Sequence, residues 1–349
     1  VMINEFGLGH VGEFLAIYEQ LKDRKDINFK YCFTGDILPA PVQEQLRGIF
    51  KENLILYKAI GRDLNYLKIG LGIPGNLLRN LPILFRSRAL FKQDPDLVCL
   101  NFCSLAHILF RGPVRRTIQV WGGMGKYLDD GELSKENILN RIIIRASLRS
   151  VGANHAQLQC NLAGKSISEA PTMMGGSPHY WSTPVMTQNE KAWALPFENY
   201  ALMYFSSTTP KSLLKQAIQV ARENPNENFI LFGSDASGAH ESPSNIHFAG
   251  LVDPECFLHA LRRAKAYIGT LGLGPIAEAY RLNIPIYVLP MHAEQRSNIR
   301  FCPDAVVLES ILDYSKKKGS WIADTNKSTQ QSDSASFVAN KIAAYLSNL

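Results

Sequence analysis

The chain has 349 residues, 46% of them hydrophobic and 19% charged, and a formal net charge of +6. That length is too great for one comfortable core and predicts two domains, while the balanced composition excludes a disordered or collagen-like chain. No apolar run reaches the ~18–20 residues of a membrane span, and no charged-then-apolar signal segment opens the sequence.

Six cysteines, Cys32, Cys99, Cys103, Cys160, Cys256 and Cys302, lie in or near apolar stretches with no CxxC pair. They read as reduced and buried, which points to a cytoplasmic protein, and no Cys/His cluster has zinc-ligand spacing.

Strands and helices alternate along the chain. "VMIN" leads into a glycine turn and an amphipathic helix to about Arg24, then come the strand "NFKYCFTGD", the helix "PVQEQLRGIF" and the strand "NLILYKAI". A Gly/Pro-punctuated segment, Gly70 to Pro82, precedes a basic helix ending near Gln93. "PDLVCLNF" and "RRTIQVWGG" read as strands and "SKENILNRIIIRASLRS" as a helix. The irregular segment "TMMGGSPHYWSTPVMTQNEKAWALP" reads as the interdomain linker. A second alternating series runs from "ENYALMYFSST" to "IPIYVLPM"; after a polar loop, Asp324 to Ser336, "FVANKIAAYL" closes the chain as a helix. The pattern predicts α/β architecture: two doubly wound Rossmann-like domains facing a cleft, residues 1–180 and 181–349, with the last helix packing back on the first.

Two local patterns carry chemistry. Near the start, Gly7-x-Gly9-x-x-Gly12 has dinucleotide-fingerprint spacing, and Asp36 ends the second strand where such a site wants an acidic residue. His10 stands inside the pattern, however, where a phosphate wants bare N–H groups. In the second half, a strand ending at Thr270 enters Gly272-Leu273-Gly274, and Pro275 sits in the first helical turn, where its missing N–H costs nothing. The positive end of that helix suits a diphosphate. Glu278 lies one turn in, within reach of a sugar hydroxyl, and Glu294-Gln295 follow the next strand at the edge where open α/β sheets hold ligands.

Read together, these segments resemble GT-B glycosyltransferases of the group containing the UDP-glycosyltransferases and the peptidoglycan N-acetylglucosaminyltransferase. The resemblance rests on Glu278-Ala279, Asn283-Ile284-Pro285, Pro290 and Glu294-Gln295-x-x-Asn298, in that order and spacing. It extends to "LMYFSS", whose Ser207 would face the diphosphate, to "HFAGLVDPECFLHAL", where backbone near Val252 would meet the base, and to the N-terminal "GLGH". It implies an inverting, metal-independent transferase with no cofactor beyond its nucleotide-sugar co-substrate. His10 would be the general base on an acceptor hydroxyl or amine. Asn101 stands where relatives carry an aspartate that orients the histidine; an amide can bond an imidazole but cannot balance its charge, so another carboxylate is needed or the base is weaker. Gly9, Phe102 and Trp121 are candidates for lining the acceptor pocket. A metal-dependent transferase would use an Asp-x-Asp, and Asp94-Pro95-Asp96 is present, but it reads as a strand entry. The alternatives are a nucleotide-sugar epimerase or hydrolase of the same fold and a non-catalytic sugar-nucleotide-binding subunit.

Charge is concentrated between Gly61 and Lys92, where Arg62, Lys68, Arg79, Arg86, Arg88 and Lys92 face only Asp63. Mixed with leucines, isoleucines and phenylalanines, this segment (69–92) reads as a helix with a basic face. The functional expectation is peripheral contact with the inner face of an anionic membrane, or reception of a lipid-linked acceptor. Without interleaved aromatics, nucleic acid is not expected.

Overall fold

A computed structural model describes residues 1–3, 9–36, 38, 40–58, 66–102, 116–121, 134–135, 138, 141–142, 156–160, 179–182, 192–205, 210–233, 242–250, 252, 254–270, 272–291, 295–296, 299, 304–322 and 334–347. Two compact units emerge. One comprises 1–161, 165–185 and 332–349, the other 162–164 and 186–331.

The first unit is built on seven parallel strands in the order β3-β2-β1-β4-β5-β6-β7. These are β1 Met2–Ile3, β2 Cys32–Gly35, β3 Leu54–Tyr57, β4 Val98–Phe102, β5 Arg116–Trp121, β6 Ala156–Cys160 and β7 His179–Ser182. Among the described residues its helices include α1 Gly9–Leu21, α2 Ala40–Phe50, α3 Tyr66–Gln93 and the C-terminal α8 Ser334–Ser347. Successive strand residues point to opposite faces. Ile3, Leu100, Phe102, Ile118 and Val120 bury against α1, α2 and α8. Met2, Phe33, Ile55, Tyr57 and Cys99 bury with Phe91 of α3.

Two expectations need correcting. The segment Gly70 to Pro82 does not interrupt a helix: α3 runs unbroken through Pro74 and Pro82. An interior proline costs a helix roughly 3 kcal/mol. Tertiary anchoring offsets that cost here. Asn80, fully buried, accepts from the backbone N–H of Lys58 (2.8 Å) and donates to its carbonyl (2.9 Å), locking the helix to the end of β3. Ile83, Leu84 and Leu90 add apolar packing. The expected linker, in turn, contains β7, which extends the sheet beside β6 through Gln157 opposite His179.

The second unit repeats the topology in six parallel strands, β10-β9-β8-β11-β12-β13. The strands are β8 Tyr200–Tyr204, β9 Asn228–Phe232, β10 Ile246–Gly250, β11 Ala266–Thr270, β12 Ile286–Leu289 and β13 Val306–Val307. The helices are α4 Lys211–Glu223, α5 Pro254–Arg263, α6 Leu273–Arg281 and the short α7 Tyr314–Lys317. Buried on both faces, the strands sort residue by residue. Tyr200, Leu202, Tyr267, Ile286 and Val288 pack under α5 and α6. Ala201, Met203, Ile268, Tyr287 and Leu289 pack under α4 and Tyr314. This is the double burial that gives parallel strands their continuous apolar runs.

The amino ends of these strands are tied by a polar lock. The Asn245 side-chain amide donates to the carbonyls of Ala221, Asn224 and Glu227. The nearly buried Glu227 carboxylate accepts from Tyr314 (2.7 Å) and pairs with Lys265 (3.0 Å) and Lys318 (3.3 Å). Burial opposes its charge, but these three donors outweigh it and hold the carboxyl below its ordinary value of 4.5. The buried Cys32 behaves oppositely, burial pushing its thiol up to about 12 against the nearby N-terminal charge and leaving it inert at neutral pH.

A group whose folded pKa is depressed contributes stability above its unfolded pKa and loses it as pH falls through the folded value. Glu227→Gln should therefore cost about 2 kcal/mol in denaturant unfolding at pH 7, with the difference shrinking below about pH 4. The β11–α6 connection gives a second test. A Cβ on Gly269 would lie 2.7 Å from both the Tyr204 carbonyl oxygen and the Tyr267 hydroxyl, whereas one on Gly272 would meet nothing within 4 Å. Gly269→Ala should lower stability by about 1–3 kcal/mol, and Gly272→Ala should leave the melting temperature nearly unchanged.

Candidate active site at the strand carboxyl ends

In each sheet the strand order reverses at one place, the point where open α/β sheets hold ligands beyond their carboxyl ends. In the first unit this lies between β1 and β4, with Met2 opposite Asn101 and Ile3 opposite Phe102. In the second it lies between β8 and β11, with Gly269 opposite Tyr204.

At the first switch point Gly9 begins α1 and His10 is its second residue, so the histidine stands on a helix rather than in the loop its glycines suggest. Its Nδ1 lies 3.0 Å from the Glu13 carboxylate; the imidazole side chain is 23% exposed and that of Glu13 only 9%. Glu13 was not singled out in the sequence. The signal that could have found it is the i,i+3 spacing, which brings two side chains onto one helix face. The third glycine of the fingerprint, Gly12, has nothing within 4 Å of where its Cβ would be. Close helix packing, the reason a dinucleotide site needs that glycine, is therefore absent at this position.

Phe102, expected to line an acceptor pocket, is fully buried beneath α1 and packs edge-on against Phe14, with ring centroids 5.8 Å apart. It is a core residue: β4 ends with that side chain turned into the α1 face of the sheet. Asn101 and Trp121 are placed by backbone alone, Asn101 between Met2 and Gln119, Trp121 opposite Gln159 at the end of β5. Asp94 lies at the amino end of β4, away from the ligand edge, and is held by Lys30 at 2.5 Å. Among the described residues no group of three or more His, Cys, Asp or Glu could hold a metal ion.

At the second switch point β11 ends in the nearly buried Thr270. The N–H of Gly272 closes a tight turn on the Thr270 carbonyl at 2.8 Å, and α6 begins at Leu273 with no side chain of a described residue capping it. Of the first N–H groups of a helix none has an internal partner, and Pro275 has none to offer. Leu273 and Gly274 therefore present uncapped backbone donors at a positive helix end. Gly272 has φ −77°, an ordinary conformation for any residue, so its absent side chain matters for access rather than for the turn.

One turn on, Glu278 is half-buried and acts on two tyrosines below it. Burial first, and then the Glu278 charge, push the Tyr204 hydroxyl up to about 12. Tyr267 is raised further by burial, Tyr204 and Glu278, and its hydroxyl has no hydrogen-bond partner among the described residues. Val252 is half-buried against the α5–α6 core. The Gln295 amide oxygen accepts from the Met291 N–H at 2.7 Å, which spends its acceptor on the loop and leaves its NH2 as the donor that can read a ligand. Ser207, Glu294 and Asn298 lie outside the described residues.

No protein-family model and no curated protein matches the chain by sequence. Solved structures do match along its whole length. The calicheamicin glycosyltransferase CalG4 is 14% identical, with 100% of this chain and 98% of that one covered at a TM-score of 0.64. UGT2 of Phytolacca americana, solved with UDP-2-fluoro-glucose and pterostilbene, is 12% identical over 99% of both chains, TM-score 0.64. UGT89C1 of Arabidopsis thaliana, solved with UDP, is 11% identical over 99% of this chain and 98% of its own, TM-score 0.68. With two parallel-sheet units wound alike and neighbours of this kind over its full length, the chain has the GT-B fold.

Proposed function

We propose that the protein is an inverting glycosyltransferase that moves a sugar from a UDP-linked donor to a hydroxyl or amine of a small-molecule or lipid-linked acceptor. The observation that carries this reading is the uncapped start of α6 at the switch point of the second sheet. It is supported by full-length likeness to proteins solved with UDP and with UDP-2-fluoro-glucose. The donor's diphosphate would accept hydrogen bonds from Leu273 and Gly274 N–H, with the Thr270 and Ser207 hydroxyls beside it. Glu278 would hold a ribose hydroxyl, backbone near Val252 the base, and Glu294, Gln295 and Asn298 the sugar.

In the reaction, Nε2 of His10 takes the acceptor proton as the acceptor oxygen or nitrogen bonds to the anomeric carbon. The bond from that carbon to the diphosphate oxygen breaks, and its electron pair leaves with UDP. Attack from the face opposite the leaving group inverts the carbon. This reading assigns the leaving group's charge to backbone donors rather than to a divalent ion.

UDP should raise the melting temperature; at one hundred times its dissociation constant it adds about 2.7 kcal/mol of stability. His10→Ala should keep that shift and lose roughly 10²–10⁴ in turnover of UDP-glucose with acceptor. No shift with any nucleotide sugar would end the reading. UDP release that needs no acceptor would favour a hydrolase, an altered sugar an epimerase, and binding without turnover a non-catalytic subunit.

The acceptor side has its own support. On α3, Leu78 (68% exposed) and Phe85 (64%) share one face with Pro82 and Ala89, flanked by exposed Arg79, Arg86, Arg88 and Lys92. No helix among the described residues is long and apolar enough to cross a membrane, so contact through this face would be peripheral. Each basic residue near an anionic surface is worth about 1 kcal/mol. The protein should co-sediment with phosphatidylglycerol-containing vesicles at low salt, and less so at high salt or as Leu78→Ser/Phe85→Ser. Equal recovery with neutral vesicles would contradict a charge-driven contact.

A further inference from the structure

We infer that Glu13 is the positioning residue for His10, supplying from the same helix the countercharge that Asn101 cannot. The inference rests on the transferase reading for its consequence, but its geometry stands alone. A carboxylate can only accept hydrogen bonds, so a 3.0 Å contact between Glu13 Oε2 and Nδ1 favours the tautomer that carries its proton on Nδ1. That tautomer makes Nε2 the nitrogen with the lone pair, and only that nitrogen can take an acceptor proton. The contact thus bears on the rotation of the ring and on its tautomer together.

Its location explains why a carboxylate is needed. His10 is the second residue of α1, and the positive end of a helix opposes a cation there. A base at this place becomes an imidazolium during the reaction, against the helix field. Glu13, one turn on and 9% exposed, is shielded from water, so its charge acts on the ring with little screening. An orienting amide would leave that opposition uncompensated, as the loss on replacing a triad aspartate by asparagine illustrates.

The pair is tested by 15N spectra of the histidine rings at a pH where they are neutral, together with steady-state kinetics on UDP-glucose. In the wild-type protein His10 should carry its proton on Nδ1, and in Glu13→Ala it should revert to the Nε2–H form that free histidine prefers. Glu13→Gln keeps an acceptor for Nδ1 and should keep the tautomer, yet lose kcat about tenfold for want of charge. Glu13→Ala should lose roughly 10- to 100-fold, with KM for the donor and UDP affinity unchanged in both. An unchanged tautomer in Glu13→Ala, or wild-type kcat in both variants, would overturn the inference; so would a loss confined to KM. If Glu13→Ala does not fold, Glu13→Gln against wild type decides the charge effect. If wild-type protein neither binds UDP nor turns over UDP-glucose, the transferase reading fails alone, and the ring tautomer still shows whether Glu13 sets His10.

Discussion

Among the described residues no side chain caps the backbone N–H groups at the start of α6, and the rest of the account follows from where the fold puts them. β11 is buried from Ala266 to Thr270, held between β8 and β12. The strand can therefore end in only one direction. Gly272 folds back on Thr270, and α6 must start over the sheet's switch point. A helix end left uncapped on a surface is satisfied by water; in the proposed reading a diphosphate would do the same here with more charge. The polar lock around Glu227 and Asn245 lies at the amino ends of the strands, opposite the carboxyl edge where the proposed donor site lies.

The first unit uses the same topology for a different purpose. Its switch-point helix, α1, carries the His10 imidazole in its first turn with the Glu13 carboxylate 3.0 Å from it. In the proposed reading, one winding order would serve an anion site in one unit and a proton-accepting site in the other. The side chains in the first helical turn make that difference, which is why fold likeness alone does not name a reaction.

Much of this was legible in the sequence because burial writes itself there. "YALMY", "AYIGT" and "IYVL" are continuous apolar runs since both faces of the second sheet are covered, and the Gly272-Leu273-Gly274-Pro275 sequence announces a helix start. Less legible was anything decided by tertiary partners. Pro74 and Pro82 argue locally for a broken segment, but Asn80 bonded to Lys58 keeps α3 whole. Gly, Ser and Pro around residues 175–184 argue for a linker, yet β6 offers an unpaired edge that β7 completes. Phe102 looked like a pocket residue because it ends a strand; its side chain turns into the core against Phe14. Glu13 was missed because an acidic residue in an amphipathic helix is unremarkable until its neighbour is known to be His10.

The most direct test of the central claim is amide NMR of the 15N-labelled protein titrated with UDP. The account predicts that the Leu273 and Gly274 N–H resonances move downfield with saturation, as new hydrogen bonds to phosphate form, while amides near Glu227 stay still. Saturable binding that leaves Leu273 and Gly274 unmoved would contradict it.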